Sequence, residues 1–478
     1  DTGSSKALMT KLRLHHGVLY TLQTLVDSTK GMSKYTQTFF DSFTPIDTLV
    51  GRDIFEDKAD VFNQHVFGED SLNMVNAMKS IKKVDFEEKD VVNIVKTYTE
   101  FEFDEDEESK QREDLIMSLG NIETQEAYDF LNAVYDTNNF DSDLQFIVLK
   151  CFSYTETKEA YDAIENQLLN NTPFTENESK LNFFDNLYDS LELAKGYFPK
   201  MLELSQYPEY KPHVVEMLSR GLLDSVFTFK NFSTEKSSIY RNANIELKRT
   251  VANQDKDKKG NSYYRGSQTA PYKNMFIDYY ALMCEFKNKG HKDSEDFFKD
   301  IYRIKDKKFL IEAEIIHHKL GMDVDTSKIN EVVKDLEYQV WAYNRLNKND
   351  MLDYYTPSIT QEDMAYALLY NYGFDQEEDT AVFVKKVMVN NGKKKGYVYF
   401  FKRKTEKTKN WMIDYVGIQP EDDAEFKTLA LETKKGLAVR NDTEIDLTIE
   451  KTIEIFEMEN RKRVVLTGSS WGGWGGLF

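Results

Sequence analysis

The sequence predicts a mainly α fold: a HEAT-like α-solenoid with a short α/β piece before it and a small α+β domain after it. Three observations carry this. The segment Glu123-Thr124-Gln125-Glu126-Ala127-Tyr128-Asp129 returns 33 residues later as Glu156-Thr157-Lys158-Glu159-Ala160-Tyr161-Asp162. Self-similarity at such a period marks stacked helical pairs, none of which buries its apolar face alone. Pro and Gly are few, 8 and 22 in 478 residues, which favours uninterrupted helices. Near Thr380 the apolar period changes from helical to two, as strands require.

Residues 1–56 read as the end of an α/β domain or an N-terminal cap. Leu8–Leu14 and Val18–Val26 alternate as strands around a His15-His16-Gly17 turn, and Tyr35–Phe43 follows as an amphipathic helix. Two strands and a helix cannot close a core. The missing layer is therefore expected upstream in a longer polypeptide, or the piece packs on the solenoid.

Residues 57–252 read as HEAT-like repeats. Leu72–Ile81 and Val91–Tyr98 open them, and an acidic stretch, Glu100–Glu108, follows as a solvated loop. The clearest pairs are Asp114–Leu119 with Gln125–Val134, and Asp143–Phe152 with Lys158–Leu168. Thr124 and Thr157 stand where N-caps belong, each with an acid soon after. Ser179–Leu193, Tyr197–Leu204 and Val214–Leu223 continue the row, with Pro173, Pro199 and Pro208 at starts or connections. Residues 253–271 are polar and Lys-rich, a linker or exposed loop.

Helical repeats resume over 272–372, with Tyr272–Lys287, Ile329–Leu346 and Gln361–Tyr370, and Lys292–Tyr302 weakly resembles Asp325–Leu336. Residues 373–467 form the α+β domain. Thr380–Val389, Tyr397–Arg403 and Trp411–Val416 are strands, with Asn391-Gly392 as a hairpin turn. Ala424–Thr433 and Ile445–Met458 read as helices. Residues 468–478, with Trp471, Trp474, Leu477 and Phe478 among five glycines, form a flexible aromatic tail.

Net charge is -20, with 82 acids against 62 Lys and Arg. That argues against broad nucleic-acid binding. The stretch from Ala381 to Ile413 is the exception, with ten Lys or Arg and Glu406 as its one acid. Cys151 and Cys284 lie inside apolar helical patterns and are expected as buried thiols. No run of ~20 apolar residues is present, so no transmembrane segment is expected, although peripheral membrane association stays open. The chain begins at Asp1 without a basic-then-apolar leader, so either a leader has been removed or a longer polypeptide precedes it.

Candidate chemistry is sparse. Gly468-Ser469-Ser470-Trp471-Gly472 fits a nucleophile-elbow string, but that motif needs a strand before it, a helix after it and a later His. Asp255, Asp257 and Gly260 begin like a calcium loop that fails at Lys259 and Gly266. His15-His16 and His317-His318 are adjacent pairs that diverge on a helix, and His65 and His213 stand alone, so no metal or cofactor is expected. Glu126, Asp129, Glu159 and Asp162 recur at equivalent positions. A catalytic acid is needed once, so these read as charges serving helix N-termini. Tyr128 and Tyr161 read as packing between repeats and, on concave helices, as partner contacts. Lys393, Lys394, Lys395, Lys402 and Arg403 could bind an anion beside Tyr397, Tyr399, Phe400, Phe401 and Trp411. The plainer reading docks those cations on acidic neighbours.

Gly17-Val18-Leu19-Tyr20-Thr21-Leu22 followed by Phe39-Phe40-Asp41-Ser42-Phe43 resembles the closing strands and helix of a PsbP/Mog1-like sandwich. The continuation Thr44-Pro45-Ile46-Asp47-Thr48-Leu49 into helical repeats resembles the C-terminal half of large Bacteroidota envelope proteins, in which a TraB/GumN-like domain precedes HEAT-like repeats. The likeness covers residues 1–340. It implies export from the cytoplasm and hydrolase-like residues upstream. The G-x-x-H type motif of that domain is not in this chain, so no catalytic residue carries over.

The expected function is therefore a non-enzymatic protein–protein interaction scaffold or accessory subunit of a cell-envelope complex. Its contact candidates are Tyr128, Tyr161, Trp471, Trp474 and Phe478. The alternatives are the C-terminal part of a TraB/GumN-like hydrolase and an anionic-ligand binder acting through the basic hairpin.

Overall fold

The computed structural model describes residues 6–15, 18–27, 29–30, 32–45, 56–104, 107–138, 141–254, 275–292, 294–355, 359–371, 379–390, 395–405, 411–423, 425–428, 438–439 and 444–454. The protein is mainly helical, with a two-stranded sheet near its start and a small sheet near its end. It divides into two compact units, Asp1–Ala194 and Lys195–Phe478, so the helical stretch expected over 57–252 spans that division.

In the first unit, β1 (Lys6–His15) pairs antiparallel with β2 (Val18–Asp27), from Lys6 opposite Asp27 to His15 opposite Val18. Helix α1 (Lys34–Ser42) starts at Ser33, whose hydroxyl accepts from the Thr36 N–H. It covers one face of the hairpin. Leu22 and Phe40 are buried there, the Tyr20 and Phe43 rings lie 5.2 Å apart, and Arg13 donates to the Phe43 carbonyl at 3.0 Å. Then come α2 (Lys58–Val66), α3 (Ser71–Lys79), α4 (Val91–Glu100), α5 (Glu108–Gly120), α6 (Gln125–Thr137), α7 (Ser142–Thr155), α8 (Lys158–Asn170), α9 (Phe183–Asp189) and α10 (Leu191–Ala194).

The repeated segment holds equivalent places. Thr124 and Thr157 both cap their helices, each accepting at 3.3 Å from the N–H of Ala127 or Ala160, and both alanines are fully buried. Neighbouring pairs stack in two files. One runs α5, α7, α9; the other runs α4, α6, α8, α10. Each file covers apolar surface that the other leaves open, as a stacked repeat requires. The expected helix over Ser179–Leu193 is shorter than its pattern. A 3-10 turn, Glu178–Asn182, precedes α9, and a break at Ser190 separates α9 from α10.

The second unit opens with two 3-10 turns, Lys195–Tyr197 and Lys200–Gln206, on either side of Pro199. Helices α11 (Lys211–Leu223), α12 (Lys236–Asn253), α13 (Phe276–Asn288), α14 (Ser294–Ile301), α15 (Lys307–Lys319), α16 (Thr326–Val333), α17 (Leu336–Lys348) and α18 (Gln361–Asn371) follow. Helices α11, α13, α15 and α17 contact one another in series. Helix α15 has six consecutive buried residues, Ile311 to Ile316. A helix enclosed on most sides shows little amphipathic period, so the sequence pattern passes over it. The expected single helix Ile329–Leu346 is two, because Asp335 ends one turn and its carboxylate accepts the Glu337 N–H at 3.0 Å to start the next.

The closing sheet is an antiparallel meander of β3 (Asp379–Asn390), β4 (Lys395–Thr405), β5 (Trp411–Gln419) and a two-residue β6 (Ala438–Val439). Its Tyr399, Phe401 and Val416 pack against Met364 and Leu368 of α18. Its Phe400, Ile413 and Tyr415 pack against Ile449 of a helix over 445–454. Both faces are thus covered. The expected helix Ala424–Thr433 is not found at its described residues, 425–428. Their backbone is engaged elsewhere: Gln419 bonds both the N–H and the carbonyl of Lys427 at 2.8 Å, and Gln361 donates to the Glu425 carbonyl at 2.9 Å.

Candidate functional site

An uncovered sheet face stands out first. Opposite residues of an antiparallel pair share a face, and alternate residues along a strand do too. The register therefore puts Leu8, Thr10, Leu12 and Leu14 of β1 beside Leu25, Gln23, Thr21 and Leu19 of β2. The five leucines of this face are each 48 to 69% exposed. The end pair of this face, Lys6 opposite Asp27, is charged; the eight side chains that follow it are not. Helix α1 covers the opposite face, and α2–α10 lie beyond it in sequence.

The expected contact tyrosines do not form an outer surface. Tyr161 is fully buried and donates to the Asn186 carbonyl at 3.3 Å. Tyr128 is half-buried, shares a 3.2 Å hydrogen bond with the Thr157 hydroxyl and packs its ring 6.0 Å from that of Phe152. Both bind one helical pair to the next, and Tyr161 is withdrawn as a partner contact because its ring has no outer face. Trp471, Trp474 and Phe478 lie outside the described residues, as do Lys393 and Lys394, the Asn391-Gly392 turn, the Gly468–Gly472 string and the 255–266 loop.

The described cations of the basic hairpin meet acids of their own unit. Lys395 pairs with Glu421 at 2.8 Å, Lys385 with Asp446 at 2.5 Å and Lys386 with Asp423 at 3.0 Å. Arg403 is buried against Asp414. Lys402 lies with its ammonium 5.1 Å from the centre of the Trp411 ring. Arg403 is therefore withdrawn as an anion ligand: its charge is spent inside the sheet, where removing it from Asp414 would leave a buried carboxylate alone.

A buried polar chain that the sequence left unread lies between α13 and α15. The Tyr280 hydroxyl bonds His317 Nε2 at 2.9 Å, and His317 Nδ1 lies 3.2 Å from the buried Glu314 carboxylate. Glu314 also accepts the Asp325 N–H at 2.7 Å and the Lys328 ammonium at 3.1 Å. Burial opposes its charged form. The His317 hydrogen bond, the Asp325 N–H and the His317 and Lys328 charges outweigh that and hold the carboxyl below its ordinary range. Burial pushes the Cys284 thiol up to about 12 and Cys151 likewise. Both are free, buried thiols, as expected, and neither ionises at neutral pH. The chain of groups is a satisfied interior network. Its only sequence trace was the Glu314–His317 spacing of three on one helix.

A cleft of about 750 Å³ opens in the second unit between the Lys200–Gln206 turn and the starts of α11 and α12. Lys200, Lys211 and Arg241 line it together with Glu203 and Glu235. Lys211 is half-buried. Burial, then the Arg249 and Arg241 guanidiniums, hold its pKa below the ordinary lysine value against the pull of Glu246. No metal-holding group of three or more His, Cys, Asp or Glu occurs among the described residues.

Comparison with protein-family models, with curated proteins and with solved structures finds no match to this chain. Among the described residues no helix is long and apolar enough to cross a membrane.

Proposed function

We propose that this chain is a non-enzymatic protein–protein interaction scaffold, built of HEAT-like repeats and serving a complex of the cell envelope outside the cytoplasm. The observation that carries the reading is the leucine face of the β1–β2 hairpin. Five exposed leucines on two strands amount to a few hundred Å² of apolar surface, the scale at which such a patch marks an interaction site. A two-stranded sheet is marginal in water and gains stability from a layer on each face. From Leu8 to Leu14 the face carries no charge, the Lys6–Asp27 pair standing at its end, so its occupant is a folded protein presenting an apolar face of its own. A charged partner surface would lose its hydration with nothing to replace it.

The test replaces Leu12 and Leu25 by Glu and compares the partners recovered stoichiometrically with the chain from its native envelope. The expected outcome is at least a tenfold depletion of one partner at unchanged helical content. Full recovery of the same partners by the double variant would end the proposal.

The same face favours a second reading, in which the chain is the C-terminal part of a TraB/GumN-like hydrolase and the covering layer comes from the same polypeptide. The intact mass of the native protein separates the two readings. A polypeptide of 55.9 kDa with a separate partner supports the first, and a much longer one supports the second. Anion binding by the basic hairpin draws less support, since Lys385, Lys386, Lys395 and Arg403 all have acidic partners.

A further inference from the structure

The cleft beside Lys211 gathers cations from two helices, Lys211 of α11 and Arg241 of α12. Lys211 and Arg241 lie close enough for each to oppose the other's charge, yet neither side chain forms a hydrogen bond or an ion pair among the described residues. Lys211 is the first residue of α11, and α12 begins at Lys236, so the positive ends of two helix dipoles add to the field there. Lys211 and Arg241 together with the two helix starts offer an oxyanion a positive field in this cleft, although the Glu246 charge attracts Lys211.

The rest of the lining defines the remainder of the ligand. Thr234, Ser238, Ser205 and Asn242 offer hydroxyls and an amide, while Glu203 and Glu235 offer carboxylates that accept hydrogen bonds. No aromatic ring lines the cleft, so a nucleobase would find no stacking surface. The volume lies in the range of small-molecule sites. We propose that this cleft binds a soluble phosphorylated sugar or polyol, with the phosphate on Lys211 and Arg241 and the hydroxyls on Glu203, Glu235 and Ser238. This site is independent of the leucine face.

Calorimetric titration of the full chain with ribose 5-phosphate, inorganic phosphate and ribose at low salt tests it. Saturable binding of ribose 5-phosphate is expected, weakened at least tenfold by Lys211→Met and at least fivefold by Arg241→Gln. Lys248→Met, which changes an exposed lysine outside the lining, should leave it unchanged. Glu203→Gln with Glu235→Gln should weaken ribose 5-phosphate and spare inorganic phosphate. Should Lys211→Met fail to fold, Ser238→Glu replaces it and should abolish binding by placing a like charge in the cleft. The proposal is overturned by the absence of saturable binding, by equal weakening in Lys248→Met, by equal binding of ribose, or by co-sedimentation with phosphatidic acid vesicles without binding of the soluble sugar phosphate.

Discussion

Gly120 ends α5 where Cys151 of α7 passes closest. A β-carbon there would meet the Cys151 β-carbon at 2.4 Å and its sulfur at 2.6 Å. Alanine would gain up to ~1 kcal/mol of helix propensity, but overpacking between two helix backbones costs ~1–3 kcal/mol, and the contact is with atoms next to the backbone. Gly120→Ala should therefore lower the urea midpoint, with a net loss of ~1–2 kcal/mol. Glu314 makes a second prediction at this scale. Its folded-state pKa lies below the ordinary value of 4.5, so the unfolded chain takes up that proton first. The stabilisation is present above pH 4.5 and is lost as pH falls through the folded-state value. Glu314→Gln should flatten the fall in urea midpoint between about pH 5 and pH 3. An equally steep fall in the variant would show that other carboxylates govern acid unfolding.

Helix caps carry the repeat at the scale of elements. Thr124→Ala and Thr157→Ala each remove a cap worth ~1 kcal/mol. Thr157 also holds the Tyr128 hydroxyl of the preceding pair, so its loss should cost ~0.5–1.5 kcal/mol more than that of Thr124. A double-mutant cycle checks the extra part: Tyr128→Phe should destabilise the native protein and be near neutral in the Thr157→Ala background. Additive losses would mean that the two helical pairs are joined by ring packing alone. Thr124, Thr157, the paired helices and the strand positions near Thr380, Tyr397 and Trp411 were legible in the sequence, because caps and period are local properties. Helix α15 and the break at Asp335 were not. Burial on most sides erased the period of α15, and one capping carboxylate outweighed a continuous helical pattern.

The chain divides into two compact units, each with buried apolar side chains of its own. Units with separate cores unfold with separate cooperativity, so the calorimetric enthalpy should exceed the van't Hoff value. Gly120→Ala should shift one transition. Gly221→Ala, whose β-carbon would strike the Phe227 ring at 2.3 Å, should shift the other. A single transition moved equally by both variants would refute this. Charge is also settled at this scale. The basic stretch looked available as a sequence, yet Lys385, Lys386, Lys395 and Arg403 close on Asp446, Asp423, Glu421 and Asp414 once the sheet forms.

Residue order alone determined that Ala127 and Ala160 recur in equivalent helices, that Cys151 and Cys284 are buried, and that β1 and β2 pair. Each of these follows from a pattern within one or two turns or along a single strand. Only the tertiary structure decided which surfaces remain open. The leucines of the hairpin alternate like those of any half-buried strand, and nothing local distinguishes a covered face from a bare one. Lys211 and Arg241 are 30 positions apart in sequence and line one cleft, because long-range packing sets α11 and α12 around it.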